Sequence, residues 1–163
     1  MEKRIGLLFD CIRSPYDIAN VMQIGAALGN CDLYASGNCI DLNNRKITSK
    51  VASWRIQKIP RFEHFATFKE AVQALHEREK YLVGTVPHAG KSLYDLNLST
   101  GNFVFVFGNE TSGLIEVKQR CLDEVISVPT TGDVAFLTLP VVVPIIAFEN
   151  YRQLVTQNGY HQR

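Results

Sequence analysis

An unbroken apolar run from Phe103 to Phe107 constrains this chain more than any other feature of its sequence. The run contains only aromatic and β-branched residues, which is typical of a strand covered on both faces in a parallel sheet. It stops at Gly108, and a polar segment, residues 109–112 (NETS), follows. Because ligands bind at the carboxyl ends of strands in open α/β sheets, we expect a site in this loop. An ordinary strand-to-helix turn is the alternative interpretation.

Strand-like and helix-like segments alternate along the 163 residues, which predicts one α/β domain with a mostly parallel sheet flanked by helices. The first helix is clear because apolar residues recur at helical spacing before Gly29 ends the pattern. Strands are predicted at residues 4–9, 32–35, 81–86, 103–107 and 124–128, with an extended piece at 54–59. Helices are predicted at residues 17–28, 47–52, from 67 onward and at 135–156, followed by a frayed tail at 157–163.

Composition narrows the class of protein. Hydrophobic residues make up 46% of the chain and charged residues 20%, with a net charge of +1, which indicates a soluble globular protein and no overall polycation. The amino-terminal apolar run is too short for a signal peptide. The longest apolar stretch, residues 135–148, falls short of the roughly 20 residues that span a bilayer. We therefore expect no membrane segment.

The four cysteines are scattered and match no zinc-binding spacing. We expect reduced, mostly buried thiols in a cytoplasmic protein that holds no metal. The four are Cys11, Cys31, Cys39 and Cys121.

One phosphate-binding motif is excluded. Residues 84–92 (GTVPHAGKS) look like a P-loop, but five residues separate the glycines where four are required. The spacing matters because consecutive backbone N–H groups must wrap one phosphate, and Pro87 removes one donor. No Gly-x-Gly-x-x-Gly follows a predicted strand, so a dinucleotide-binding fold is also disfavoured.

Three segments together resemble the motifs of the TrmH/SpoU type of SPOUT RNA 2′-O-ribose methyltransferases. They are residues 14–29 (SPYDIANVMQIGAALG), residues 107–114 (FGNETSGL) and residues 128–140 (VPTTGDVAFLTLP). The second segment is the most specific, since the family pattern is Leu-Gly-Asn-Glu-x-x-Gly. The order and distances of the three fit the family, and the resemblance covers essentially the whole chain.

The resemblance implies a deep trefoil-knotted α/β fold, S-adenosylmethionine as cofactor and a homodimer that methylates tRNA or rRNA. The threading segment of the knot is expected at residues 108–132, where Gly132 suits a tight turn. The last predicted helix is apolar nearly all round, so together with the first helix it is the expected dimer interface.

The catalytic motifs depart from the family pattern in their chemistry. The family Asn falls on Asp17, and the family Arg, which the family uses to assist a poorly nucleophilic ribose hydroxyl, falls on Gln23. Gln23 carries no charge, whereas Arg13 is placed to supply a cation and Asp17 to act as a base. Capping of the first helix is the alternative role of Asp17. Glu110 is expected either to orient groups at the site or to favour the next helix through its dipole.

The resemblance places the cofactor at three strand ends and at the start of the last helix, held mainly by backbone groups. The expected residues are Thr85, Val86, Phe107, Gly108, Asn109, Val128, Pro129, Leu137, Thr138 and Leu139. Phe136 and Thr138 stand where the family has Ser and Asn. Phe136 either forms the floor of this pocket or fills it.

A basic stretch is the candidate RNA-binding surface. Residues 42–62 contain six cations and no acidic residue, with one tryptophan that is able to stack on a base. A solvated helix face is the alternative interpretation. The candidate residues are Arg45, Lys46, Lys50, Trp54, Arg55, Lys58 and Arg61.

Three functions remain open at this point. The leading hypothesis is an S-adenosylmethionine-dependent ribose 2′-O-methyltransferase, and the second is a knotted homodimer that binds RNA or cofactor without catalysis. The third is a related enzyme that methylates another acceptor atom, such as a base nitrogen. The replacements at Gln23, Phe136 and Thr138 favour the second and third.

Overall fold

A parallel β-sheet organises the chain. The computed structural model describes residues 3–99 and 101–158, and within them the sheet has six strands in the order β3-β2-β1-β5-β4-β6. All strand pairs in it are parallel. The strands are β1 (Ile5–Asp10), β2 (Cys31–Ser36), β3 (Arg61–Phe65), β4 (Tyr81–Thr85), β5 (Phe103–Phe107) and β6 (Glu124–Ile126).

Helices cover both faces of the sheet, so the α/β prediction is confirmed. Side chains of α1, α2 and α5 pack into the core cluster on one face, and those of α3 pack into the cluster on the other. The helices are α1 (Pro15–Leu28), α2 (Arg45–Ser53), α3 (Phe68–Glu77), α4 (Glu116–Gln119) and α5 (Leu139–Asn158).

The central strands confirm the prediction made from the apolar run. β5 has the predicted bounds, and four of its five residues are buried because helices cover both faces. Every residue of β1 is buried as well. The rings of Phe9 and Phe107 stack across this pair with centroids 5.2 Å apart, and each buried phenylalanine contributes about 1.5–3 kcal/mol to folding.

The start of α1 corrects one sequence prediction. Ser14, and not Asp17, is the N-cap: its hydroxyl oxygen accepts a hydrogen bond from the Asp17 amide at 3.3 Å. Pro15 occupies the first helical position, where its missing N–H is harmless. Asp17 therefore lies in the first turn with its carboxyl group released from capping.

The edge of the sheet was predicted wrongly. Residues 54–59 form no strand, and Arg55 adopts a positive φ of 54° that interrupts an extended chain. The strand lies at Arg61–Phe65 instead and pairs only with β2. Arg61 and His64 are exposed and the other three residues are only half-buried, so β3 lacks the buried apolar run that marks the central strands.

Two further bounds differ at the carboxyl-terminal end. α5 begins at Leu139 and not at residue 135, which places Pro140 in its first turn, while Pro144 lies inside the helix. Gln157 belongs to α5 and its side chain donates a hydrogen bond to the Ser99 hydroxyl at 2.8 Å, so this residue is not frayed as predicted. Residues 159–163 lie outside the described part of the chain.

Candidate active site

A cavity of about 840 Å³ opens at the carboxyl ends of β4 and β5, beside the chain that follows β6. Its volume falls in the range of small-molecule sites. The strand order reverses between β1 and β5, which is where open α/β sheets leave a crevice for ligands. Its lining includes Asp17, Thr85, Val86, Phe107, Gly108, Asn109, Glu110, Val128, Phe136, Leu137, Thr138 and Leu139.

The loop after β5 is closed on itself. The Asn109 carboxamide oxygen accepts hydrogen bonds from the backbone amides of Thr111 at 2.9 Å and Ser112 at 2.7 Å. Gly113, with a φ of 62°, donates its amide to the Asn109 carbonyl. The side chain and the backbone carbonyl of Asn109 are thus both used inside the loop.

Glu110 joins this loop to the start of α1. Its Oε1 accepts the backbone amide of Ser14 at 3.2 Å and that of Arg13 at 3.4 Å. These residues meet because they follow β1 and β5, which are neighbours in the sheet. Glu110 therefore fixes the helix start at the rim of the cavity.

Asp17 lies beside Glu110 and also lines the cavity. Partial burial raises its pKa above the usual value, and the charge of Glu110 and a hydrogen bond with that carboxyl group raise it further. The Ser14 hydroxyl acts in the opposite direction. The Asp17 carboxyl group therefore binds a proton more readily than a free aspartate does.

The predicted catalytic residues divide into two groups. Asp17 and Glu110 line the cavity. Arg13 is exposed next to them and reaches Glu110 through its backbone amide. Gln23 is exposed on α1, two turns further along, and is not part of the cavity lining.

The predicted cofactor residues line the same cavity, except that Pro129 is exposed outside its lining. The Thr85 hydroxyl oxygen is buried and has no hydrogen-bond partner among the described residues. Phe136 lines the cavity with 56% of its surface exposed, so it forms part of the wall and does not fill the space.

Three polar residues of the lining, His88, Gln119 and Thr130, were not predicted from the sequence. His88 follows β4 within the segment that resembles a P-loop, and Gln119 ends α4. The sequence could have indicated His88, because its loop follows the carboxyl end of a predicted strand. It could not have indicated Gln119, because the helix α4 that carries it has only four residues and none of them is buried.

A buried ion pair anchors α4 to the sheet. The Asp10 carboxylate, 1% exposed at the end of β1, pairs with the Lys118 ammonium and accepts the Ser36 hydroxyl at 3.0 Å. Lys118 also lies over the Phe68 ring. These contacts hold the chain between β5 and β6 close to the cavity.

The cysteines form no disulfide within the part of the chain that the structure describes. Only Cys31 is buried and Cys121 is exposed, so the prediction of mostly buried thiols is wrong. Burial raises the pKa of Cys31 to about 12 and that of Cys39 to about 11, which keeps both protonated near neutral pH.

The basic surface lies on α2 and the segment that leads to β3. All six cations are exposed, and Trp54 is half-buried with the Lys50 ammonium 5.7 Å from its ring centroid. Arg45, Lys46 and Lys50 also line a groove beside Tyr16. Arg55, Lys58 and Arg61 lie outside this groove.

The described residues contain neither a membrane-spanning helix nor a metal-binding cluster. No helix among them is long and apolar enough to cross a membrane. No group of three or more His, Cys, Asp or Glu side chains in residues 3–99 and 101–158 is placed to hold a metal ion.

The parallel sheet, its strand-end cavity and the Gly-Asn-Glu loop define a class of α/β proteins with a small-molecule site at the sheet edge. The sequence profile of the SpoU rRNA Methylase family matches residues 4–148. The chain belongs to this family.

Relatives and solved structures agree with this assignment. The chain is 28% identical over 154 residues to the 23S rRNA (guanosine-2′-O-)-methyltransferase RlmB of Shewanella oneidensis, covering 90% of this chain and 58% of that protein. It therefore spans somewhat more than half the length of such relatives.

Among solved structures, the SpoU methyltransferase AviRb from Streptomyces viridochromogenes matches with a TM-score of 0.84 at 24% identity, over 96% of this chain and 62% of that one. AviRb has also been solved in complex with AdoMet, at a TM-score of 0.82 and 25% identity, over 98% of this chain and 63% of that one. A chain from work on the 2-OH methylation of C/U34 on tRNA matches with a TM-score of 0.82 at 24% identity, over 93% of this chain and 97% of that one.

Proposed function

We propose that this chain is an S-adenosylmethionine-dependent RNA methyltransferase that modifies a ribose 2′-hydroxyl of tRNA or rRNA. The observation that carries the proposal is the strand-end cavity with Glu110 at its rim, in a chain that belongs to the SpoU rRNA Methylase family. Relatives named as ribose methyltransferases support the reaction. AviRb, solved with AdoMet, supports the cofactor.

The cavity residues fit the cofactor. The buried Thr85 hydroxyl has no hydrogen-bond partner among the described residues, so a ligand group that bonds it would remove a cost of about 1–3 kcal/mol. Phe107, Val128 and Leu137 offer apolar surface for an adenine ring. Backbone groups of the predicted residues provide the remaining polar contacts, with Pro129 contributing from outside the lining. S-adenosylmethionine supplies an electrophilic methyl group on a sulfonium.

In this proposal Asp17, Glu110 and Arg13 act on the ribose hydroxyl that accepts the methyl group. A ribose hydroxyl must lose its proton as its oxygen bonds to the methyl carbon, and a positioned carboxylate is able to take that proton. Glu110 holds the start of α1 in place while Asp17 faces the cavity. Arg13 supplies positive charge beside the phosphate that follows the acceptor ribose. Gln23 contributes only a hydrogen bond at the helix surface.

The basic surface is the proposed contact with RNA. Six exposed cations without a carboxylate between them suit a phosphate backbone, and Trp54 offers a stacking ring. The proposed contact residues are Arg45, Lys46, Lys50, Trp54, Arg55, Lys58 and Arg61.

We further propose that the chain forms one knotted domain and acts as a homodimer in the cytoplasm. Family membership supports a trefoil knot with residues 108–132 as the threading segment. Exposed Val141 and Phe148 on α5 leave an apolar stripe that suits a second copy. Four free cysteines suit a reducing compartment.

A second candidate is a homodimer that binds RNA or cofactor without catalysis. The exposed position of Gln23, outside the cavity lining, favours it, as does the presence of Phe136 and Thr138 where the family motif has Ser and Asn. Transfer to a different acceptor atom accommodates the same replacements.

Calorimetric titration with S-adenosylmethionine and S-adenosylhomocysteine tests the cofactor first. Micromolar binding near one site per chain supports the proposal, and the absence of binding by folded protein refutes it. Labelled-methyl transfer to total tRNA and rRNA then tests catalysis. Loss of transfer in Glu110→Ala, with binding retained, supports the enzyme. Binding without transfer, even in Gln23→Arg, supports the second candidate.

A further inference from the structure

A groove of about 700 Å³ lies between the start of α1 and the length of α2, separate from the cavity. Its lining contains three cations and no carboxylate. The lining residues are Tyr16, Asn44, Arg45, Lys46, Ser49, Lys50 and Ser53. A groove with this charge fits a ligand that carries several negative charges along its length.

The three cations of the groove form no ion pair with a carboxylate of the described residues. Elsewhere on the described chain, six lysine and arginine side chains are paired with carboxylates. None of those six is Arg45, Lys46 or Lys50, so no carboxylate of the described residues is paired with a groove cation, and Lys50 lies over the Trp54 ring. Unpaired cations on one face are the electrostatic footprint of nucleic-acid binding.

Tyr16 connects the groove to the cavity. Its side chain is 58% exposed and lines the groove, whereas Asp17, the next residue, lines the cavity. Consecutive Cα atoms are about 3.8 Å apart, so the first turn of α1 forms the ridge between the two depressions. An exposed aromatic ring on such a ridge offers a flat face to a base.

We propose that Tyr16 stacks on the base of a nucleotide next to the one methylated, while Arg45, Lys46 and Lys50 hold the phosphates of a single-stranded RNA segment in the groove. The inference rests on the proposed RNA methylation. A stacked base must be unpaired from its own strand partner, which selects loops and single strands over duplex. The substrate class is therefore a single-stranded region of RNA that continues past the target nucleotide.

Binding of a short fluorescein-labelled oligouridine, followed by anisotropy, tests the role of Tyr16. We expect Tyr16→Ala to weaken binding about tenfold and Tyr16→Phe to retain it, because stacking needs the ring and not the hydroxyl. Tyr94→Ala is the matched control, since Tyr94 is 57% exposed and lies next to β6, at the opposite edge of the sheet from α2. It should bind like the wild type.

Salt dependence tests the groove cations. Each lost phosphate contact should lower the slope of log affinity against log salt by about 0.7, so the slope for Lys46→Ala should be shallower than that of the wild type. Lys69→Ala is the control and should match the wild type, since Lys69 is an exposed cation of α3 outside the groove lining. Trp54 is the only tryptophan and neighbours the groove residue Ser53. Unlabelled oligouridine should therefore change the intrinsic fluorescence.

The outcomes separate this inference from the proposed function. If the wild type binds oligouridine but Tyr16→Ala binds equally well, the stacking role is overturned while RNA recognition stands. Equal affinity for a hairpin duplex also overturns the inference. If the wild type binds no RNA at all, both the inference and the proposed RNA substrate are overturned, and the titration with S-adenosylhomocysteine decides the cofactor independently.

Discussion

Two carboxyl groups, those of Asp17 and Glu110, line the same cavity, and the charge of Glu110 adds to the effect of burial in raising the pKa of Asp17. Two adjacent negative charges repel, which together with burial raises the pKa of Asp17. Glu110 also accepts two backbone amides, those of Arg13 and Ser14. An asparagine at position 17 carries no charge and therefore removes this repulsion.

We expect the stability of the wild type, measured relative to Asp17→Asn, to fall as pH rises. The pKa of Asp17 is raised above 3.8, mainly by burial and then by Glu110. A carboxyl group with a raised pKa contributes fully below its unfolded value and loses that contribution as pH rises through the folded value. The change should reach at most about 1 kcal/mol, because solvent screens this partly exposed site. Urea unfolding at a series of pH values measures it.

The control for this titration is Asp133→Asn, which alters an exposed carboxyl group outside the cavity lining. Its effect on the free energy of unfolding should not follow the Asp17 curve. A difference between the wild type and Asp17→Asn that stays constant with pH would contradict the raised pKa of Asp17.

Replacing Thr85 should affect the affinity for the cofactor product and the stability of the free protein differently. Thr85→Val removes a buried hydroxyl that has no partner within the described residues, so the free protein should be as stable as the wild type or gain up to about 1 kcal/mol. The affinity for S-adenosylhomocysteine should fall about fivefold, because the ligand loses one hydrogen bond. Thr85→Ser keeps the hydroxyl and should bind normally. If the affinity of Thr85→Val is unchanged, the Thr85 hydroxyl does not bind the cofactor.

Among the elements, the loop after β5 depends on Gly108. A Cβ atom there would lie 1.9 Å from the carbonyl carbon of Gly113 and 2.1 Å from the amide nitrogen of Leu114. Backbone atoms cannot move aside as a flexible side chain does, so Gly108→Ala should destabilise the protein by about 2 kcal/mol or more. Urea denaturation measures the loss. Gly132→Ala is the control, since no atom lies within 4 Å of its added Cβ, and it should cost nothing or stabilise by up to about 1 kcal/mol.

The elements differ in how far their sequence predicts them. β5 was predicted with its bounds because both of its faces are buried, which requires an apolar residue at nearly every position. β3 was missed because it pairs on one side only and carries charged residues. The sequence predicts α1, but it offered Asp17 as a cap of this helix where the structure has Ser14. The sequence also does not show that Glu110 accepts the Ser14 amide.

At the scale of the whole molecule, the site depends on which strands are neighbours. Glu110 and Ser14 are 96 residues apart and meet because β1 and β5 lie side by side at the reversal of strand order. Local pattern alone predicts strand ends but not their order in a sheet, so the family resemblance was needed to bring these residues together. Neither approach indicated the groove beside Tyr16, which requires the packing of α1 against α2.

The proposed homodimer is the last feature that belongs to the whole molecule. On α5, Val143 and Ile146 are buried against the sheet, while Val141 and Phe148 leave 46% and 45% of their surfaces exposed. In a two-fold interface each substitution acts twice, and burying one phenylalanine contributes about 1.5–3 kcal/mol, so Phe148→Glu should weaken dimerisation more than about tenfold. Light scattering coupled to size exclusion measures the mass across a dilution series. Val117→Glu is the control, because Val117 on α4 is 70% exposed and lies outside the stripe. Dissociation by Val117→Glu, with Phe148→Glu still dimeric, would move the interface away from α5.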